Sequence, residues 1–254
     1  MKPKLIVIVA VLFVLALLPA LATAKGAVAS QKVSTMVIQR GQALAPLPGA
    51  VKGTQPAGKL APAAVLLGSG PSDLGIQPKA LYGLVKEGFE NGFPTGEWLV
   101  WDFGGSGACW GADDYKPKRF AMSAWVAKDC ANGVDPEFYY YPNYMSTWMD
   151  YPIDLQGAKK ADVRFQYWNK SEFGFDYFVW CASPDYGLNF YCNTHTGSTN
   201  NKWRVGALNL ANVPGYGSML GLPGVVVSFG FVSDLSIVDE GAFVDQIKIT
   251  VKGP

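Results

Sequence analysis

The sequence predicts an all-β protein: a two-sheet antiparallel sandwich of the jelly-roll kind, preceded by an export signal and a disordered linker. Turn-forming clusters recur from Pro94-Thr95-Gly96 to Pro223-Gly224, with runs rich in Val, Phe, Trp and Tyr between them. No segment carries a convincing amphipathic helical period. The runs also lack the helical crossovers that parallel strands need, which leaves antiparallel strands stacked in two layers.

The elements follow in chain order. In residues 1–24, Lys2 and Lys4 precede an unbroken apolar run from Leu5 to Leu18, and Pro19 breaks it before Ala22-Thr23-Ala24. That is the pattern of a secretory signal cleaved after Ala24. The run is shorter than the ~20 apolar residues of a membrane-spanning helix, so cleavage is favoured over anchoring.

Residues 25–84 hold six prolines and nine glycines but a single aromatic, Tyr82, and a single acid, Asp73. A chain of this composition buries too little to offset its ordering entropy, which predicts a flexible linker or pro-segment. Its six basic residues, Lys25, Lys32, Arg40, Lys52, Lys59 and Lys79, also allow contact with an anionic cell-surface polymer.

Residues 85–254 hold all eight tryptophans and 32 of the 34 aromatics, and their 13 Lys and Arg against 19 Asp and Glu give a net charge of −6. No basic stripe follows from this composition, which argues against a nucleic-acid partner. All four cysteines lie here, and export makes disulfides the expectation. Cys181 and Cys192 flank Ser183-Pro184-Asp185-Tyr186-Gly187 and should face each other across a hairpin, leaving Cys109 to pair with Cys130. The C-x-x-C spacing of a zinc site is absent.

The stretch from Ala161 to Ser183 reads as two strands with a polar break at Asn169-Lys170-Ser171. In the first, Val163, Phe165 and Tyr167 alternate with Arg164, Gln166 and Trp168; in the second both faces are apolar, which places it mid-sheet. Glu172 and Asp176 sit at its start, and carboxylates beside a packed face need a partner or a metal. In the last strand, Asp245 alternates onto one face with Phe243, Ile247, Ile249 and Val251. Such an acid is neutralised, bonded to main-chain N–H groups, or bound to a cation. A hard, oxygen-ligated Ca2+ would suit it, with Glu90 on a neighbouring first strand as second ligand.

Several motifs together carry a resemblance: Gly88-Phe-Glu-Asn-Gly-Phe-Pro-Thr-Gly-Glu-Trp98, Tyr151-Pro-Ile-Asp-Leu155, Tyr167-Trp168 through Trp180, Phe231-Val-Ser-Asp234 and Glu240-Gly-Ala-Phe-Val-Asp-Gln-Ile247. From about Gly88 to Val251 the chain resembles the MAM-like β-sandwich of immune inhibitor A-type secreted peptidases and other exported prokaryotic proteins. The resemblance implies an accessory, non-catalytic jelly roll, sometimes with a structural cation, and places Glu90 and Asp245 nearest the paired first and last strands. The chain departs from many relatives in having Asp245-Gln246 where they carry two consecutive acids.

Catalysis finds little support. His195 is the only histidine, so H-E-x-x-H cannot be built, and its polar surroundings from Asn193 to Asn201 predict a solvated loop. No G-x-S-x-G is present. A glycoside hydrolase needs two carboxylates about 5–9 Å apart across a cleft. On a continuous strand Glu172 and Asp176 would lie about 13 Å apart, with Asp234, Asp239 and Glu240 available to join an acid cluster. The run Phe138-Tyr139-Tyr140-Tyr141-Pro142-Asn143-Tyr144, followed by Trp148, offers aromatic rings for stacking on sugars; the alternative is a second small core closing one end of the sandwich. The expectation is a secreted, non-catalytic module that binds an extracellular polymer or protein, stabilised by Ca2+, with a carboxylate hydrolase as the alternative.

Overall fold

The computed structural model describes residues 34–56, 59, 79–80 and 82–253. The expected signal segment and much of the expected linker lie outside them. Thirteen strands follow in order: β1 (Ser34–Ile38), β2 (Lys79–Ala80), β3 (Gly83–Glu87), β4 (Leu99–Asp102), β5 (Cys109–Asp113), β6 (Ser123–Asp129), β7 (Ser146–Asp154), β8 (Lys160–Lys170), β9 (Tyr177–Ser183), β10 (Phe190–Thr196), β11 (Arg204–Asn209), β12 (Val225–Val232) and β13 (Gly241–Lys252). They form a seven-stranded sheet in the order β1-β10-β9-β12-β7-β2, with β4 also on β7. The second sheet has six strands in the order β11-β8-β13-β6-β5, with β3 also on β13. All pairings are antiparallel except the short one between β2 and β7. Among the described residues no helix is long and apolar enough to cross a membrane.

The period-2 pattern of β8 holds. Val163, Phe165 and Tyr167 point into the core between the sheets, where Phe165 meets Phe229 edge-on with ring centroids 4.8 Å apart. Opposite it lies Gly206, where a Cβ would fall 2.0 Å from the Phe165 ring. β8 and β9 are two strands, as read, but belong to different sheets; Asn169 and Lys170 of the expected break still lie in β8, and residues 171–176 make the crossing. Both faces of β9 are buried, as its composition predicts.

The last strand is where alternation misleads. Gln246 takes φ +53°, and the register of β13 against β8 shifts between Asp245 and Lys248. A bulge of this kind turns the strand over. Phe243 and Asp245 pair with Trp168 and Gln166 on the outer face, whereas Ile249 and Val251 pair with Val163 and Ala161 toward the core. Asp245 therefore does not share a face with Ile247, although it is buried. The bulge coincides with the hand-over on the far edge of β13 from β6 to β3. First and last strands of the domain are thus neighbours, as expected.

Both outer faces have apolar patches, and both are covered. On the six-stranded sheet Trp125, Trp168 and Phe243 lie under the 114–122 loop, whose Lys116 Nζ sits 4.0 Å over the Trp168 ring. On the seven-stranded sheet Trp148, Tyr177, Val179 and Phe190 are covered by residues 34–50, which contribute Ile38, Leu44 and Leu47. The stretch expected as a linker is therefore not uniform: its 34–56 portion adds strand β1 and lies on the sandwich. Its few apolar residues suffice because the face they meet is already apolar.

Arg40 fixes this cover. Its guanidinium lies 4.4 Å from the Phe190 ring centroid and 5.7 Å from that of Trp148, and it pairs with Asp150. Asp150 is fully buried and also accepts from Trp101 Nε1 and Ser228 Oγ. Burial pushes its carboxyl above the usual range, opposed by the guanidinium beside it. The disulfides are Cys181–Cys192, across the β9–β10 hairpin, and Cys109–Cys130. Removing one partner of a buried ion pair strands the other charge, so Arg40→Ala should cost about 3–5 kcal/mol and lower the thermal midpoint by roughly 10 °C. Calorimetry checks this; an unchanged midpoint would mean that the 34–56 segment does not hold the sheet's outer face.

Candidate functional site

The crossing between β8 and β9 gathers the expected acids. It is a tight turn rather than a strand: Asp176 N donates to Glu172 O at 3.1 Å, and Gly174 takes φ +81°. The turn brings Glu172 and Asp176 far closer than a strand would. One carboxylate oxygen from each, with one from Asp234 just after β12, lies within 4.8 Å of the others, so the trio has the makings of a metal site. Tyr141 Oη donates to Asp176 Oδ2, and Asp234 N donates to Asp176 Oδ1 at 2.9 Å. Lys52, from the covering segment, places Nζ 3.3 Å from Glu172 Oε2 and also pairs with Asp234 and Ser236 Oγ. Burial, reinforced by the charges of Asp234 and Glu172, pushes Asp176 up to about 7 despite its two hydrogen bonds. Asp176 is fully buried and Glu172 nearly so, which leaves no cleft between them for a sugar ring and attacking water.

Glu240 does not join the trio. It pairs with Lys116 at 2.9 Å and Lys170 at 3.2 Å; burial opposes its ionisation, but the two ammoniums outweigh this and hold it below the usual range. Glu90 and Asp245 do approach each other, both lying beside Gly88. Each is already bonded to main-chain N–H groups: Asp245 Oδ2 accepts from Lys118 and Arg119 at 3.0 Å, and Glu90 accepts from Ala121 and Met122. Among the described residues no third carboxylate, cysteine or histidine groups with this pair. Main-chain hydrogen bonding is the alternative to a cation for an acid so placed. Here it serves to pin the 114–122 loop.

The aromatic run divides. Tyr140, Tyr141 and Trp148 are buried, Trp148 beneath Arg40 on the outer face of β7, and cannot stack on a sugar. Tyr139 and Tyr144 are 37% and 45% exposed, and Tyr144 lines a pocket of about 280 Å³ with Phe103, Met145, Val232 and Leu235. Backbone bonds from Tyr141 and Tyr144 to Asp239 and Asp234 tie the segment to the 232–240 loop, so it closes one end of the sandwich. His195 departs from expectation too. It lies on β10, nearly buried, with Nδ1 3.3 Å from Asn169 Nδ2 and its ring edge-on to Tyr167. Burial lowers its pKa to about 4.

A different site was not foreseen. A groove of about 460 Å³ runs along the uncovered half of the six-stranded sheet's outer face, lined by Arg164, Lys248, Lys118 and Arg119 with Gln166 and Gln246 between them. Arg164 stands directly opposite Lys248 across β8–β13. All four cations are exposed, and none pairs with a carboxylate among the described residues. Like charges facing each other across two strands repel. In the sequence Arg164 and Lys248 are ordinary polar positions of alternating strands; only the register set by the bulge brings them together.

No family model matches the chain, and no curated protein matches it. Solved structures that are similar include the K1 cleaved adhesin domain of Lys-gingipain from Porphyromonas gingivalis, 16% identical, covering 67% of this chain and 99% of that one at a TM-score of 0.46. They also include TmCBM61 in complex with β-1,4-galactotriose, at 13% identity, covering 65% of this chain and 94% of that one with a TM-score of 0.42. A third is a family 11 carbohydrate-binding module from Clostridium thermocellum, at 14% identity, covering 68% and 98% with a TM-score of 0.39. All three are distant in sequence and in superposition.

The two unusual titrating groups oppose each other. His195, lowered from 6.5 to about 4, contributes stability that is full above pH 6.5 and lost as pH falls through 4. Asp176, raised from 3.8 to about 7, contributes stability that is full below pH 3.8 and lost as pH rises through 7. Each alone tilts stability by up to ~1.4 kcal/mol per pH unit, in opposite directions. Relative to the unsubstituted protein, His195→Gln should therefore gain stability on acidification from pH 6.5 to 4, and Asp176→Asn should lose it. Urea midpoints measured in chelator at half-unit intervals check both; parallel profiles for all three proteins would contradict the assigned burial.

Proposed function

We propose that the sandwich is a non-catalytic, extracellular binding module whose groove on the six-stranded sheet takes an acidic polysaccharide. The observation that carries this is the Arg164–Lys248 pair, two unneutralised cations facing each other across neighbouring strands in a domain of net charge −6. A carboxylate or sulfate ester laid between them relieves the repulsion and accepts charge-assisted hydrogen bonds, bidentate ones from the guanidinium. Lys118 and Arg119 extend the cationic line, as successive charges along a polymer would require. Gln166 and Gln246 supply donors and acceptors for sugar hydroxyls, and exposed Val205 offers apolar surface for a ring's C–H face. Asp245 and Glu90 serve this site indirectly, since the loop they pin carries Lys118 and Arg119.

Export belongs to the same reading, supported by the signal-like residues 1–24 and by two disulfides suited to an oxidising compartment. So does the MAM-like kinship expected from the sequence. No observation favours the hydrolase, because Glu172 and Asp176 are buried and only Asp234 of the trio lines a pocket.

The expected behaviour is binding to polygalacturonate or chondroitin sulfate that weakens as salt rises. Arg164→Ala combined with Lys248→Ala should reduce affinity at least tenfold, about the loss of one charge-assisted contact. Affinity electrophoresis and calorimetry with these polymers, against a neutral mixed-linked glucan, check it. Equal retention on the neutral glucan, or no effect of the double substitution, would remove the groove from consideration.

A further inference from the structure

We propose that Glu172, Asp176 and Asp234 form a site for a hard divalent cation, Ca2+ in an extracellular setting, and that the Lys52 ammonium is its competing occupant. The proposal rests on the proposed function only for that setting. Two ligands bound to one Ca2+ at ~2.4 Å lie at most ~4.8 Å apart, and the three carboxylate oxygens already fall within 4.8 Å of one another. Ser236 Oγ adds a fourth oxygen beside them, 2.9 Å from Asp234 Oδ1 and 3.4 Å from Glu172 Oε2. Oxygen-only donors with three carboxylates are the set such a cation takes.

An independent observation points to a ligand that the protein itself does not supply. Glu172 is only 6% exposed, and its Oε1 is buried without any hydrogen-bond partner. Lys52 reaches only the other oxygen, Oε2. A carboxylate oxygen taken from water and left bare is expensive. The other buried acids differ. Asp245 accepts three main-chain N–H bonds, Asp150 has Arg40, Trp101 and Ser228, and Asp113 Oδ2 has Lys128 Nζ at 2.7 Å. Within the described residues the trio is the acid group that keeps an unmet oxygen.

Lys52 marks where the cation would sit. Its Nζ contacts Glu172 Oε2, Asp234 Oδ2 and Ser236 Oγ, and lies 4.2 Å from the Phe175 ring centroid. One ammonium brings a single charge to a group of carboxylates, whereas a divalent ion brings two and accepts more oxygens. The Lys52 side chain is 44% exposed, so it has open solvent to move into, giving up its contact with the Phe175 ring. Cation binding would thus exchange a tether of the covering segment for a metal bridge between the β8–β9 turn and the loop after β12.

Calorimetric titration of the full chain with CaCl2, after chelator treatment, tests this. One site is expected, with affinity raised roughly fivefold to tenfold by Lys52→Ala and lowered at least tenfold by Asp234→Asn, in line with removal of a competing or a contributing charge. Glu172→Gln should abolish binding; should that variant fail to fold, Lys52→Ala and Asp234→Asn, on partly exposed side chains, still decide. Absence of binding, or an affinity unmoved by both of these substitutions, overturns the assignment. Arg164→Ala with Lys248→Ala should keep wild-type Ca2+ affinity, so failure of the polymer reading and failure of the cation site are separately visible.

Discussion

Each sheet of this sandwich presents large apolar side chains on its outer face as well as toward the core, and covering those outer faces is the constraint that shapes the rest. On the seven-stranded sheet the cover is residues 34–50, on the six-stranded sheet the 114–122 loop. Neither cover is greasy enough to rest on hydrophobic contact alone. Each is fixed by charge: Arg40 drives its guanidinium among Phe103, Trp148 and Phe190 to reach Asp150, and the loop hangs its amides on Glu90 and Asp245. The buried acids Asp150 and Asp245 therefore sit where they do because a cover has to be attached there. Desolvating them is costly, and an incoming segment that supplies the matching donors offsets that cost.

Seen this way, the open groove is what the covers leave. The loop pinned by Asp245 stops short of the lower half of β8 and β13, where Arg164 and Lys248 face each other. The same bulge at Gln246 aims Asp245 outward for the loop and, beyond the register shift, aims Lys248 outward for the groove. One irregular residue thus divides the face into a covered half and an exposed half.

The sequence made legible whatever depends on local pattern. The turn signals gave the strands, alternation gave the inward side of β8, and the short spacing gave the Cys181–Cys192 hairpin pair. It hid what depends on register and on distant cover. Alternation read through a bulge put Asp245 on the core face. Glu172 and Asp176, read as one strand, form a tight turn because Gly174 takes a left-handed conformation. His195, surrounded by polar residues in sequence, is buried because those neighbours turn their bonds inward: Asn169 Nδ2 donates to Ser171 Oγ and Gly197 O, and Thr196 Oγ1 donates to Glu172 O. Average composition made 25–84 look uniformly unstructured. Its one buried arginine and a handful of apolar residues matter through the face they meet, which lies more than a hundred positions away.

The two kinds of charge compensation at the acids differ in reversibility, and this separates structural from functional sites. Arg40 is enclosed by rings and cannot leave Asp150 without exposing the outer face of the sheet. The amides on Asp245 belong to the main chain and have nowhere else to go. Lys52 is held differently: its charge is met, but its stem is half in water and its departure uncovers little. It also leaves Glu172 Oε1 unmet even when in place. A cluster whose counter-charge is both incomplete and removable is poised to exchange that charge for another. Position strengthens the point, because the trio joins the β8–β9 turn of one sheet crossing to the end of β12, where the covering segment also comes down. Whatever cation occupies this place ties together the two sheets' connection and the segment that covers one of them.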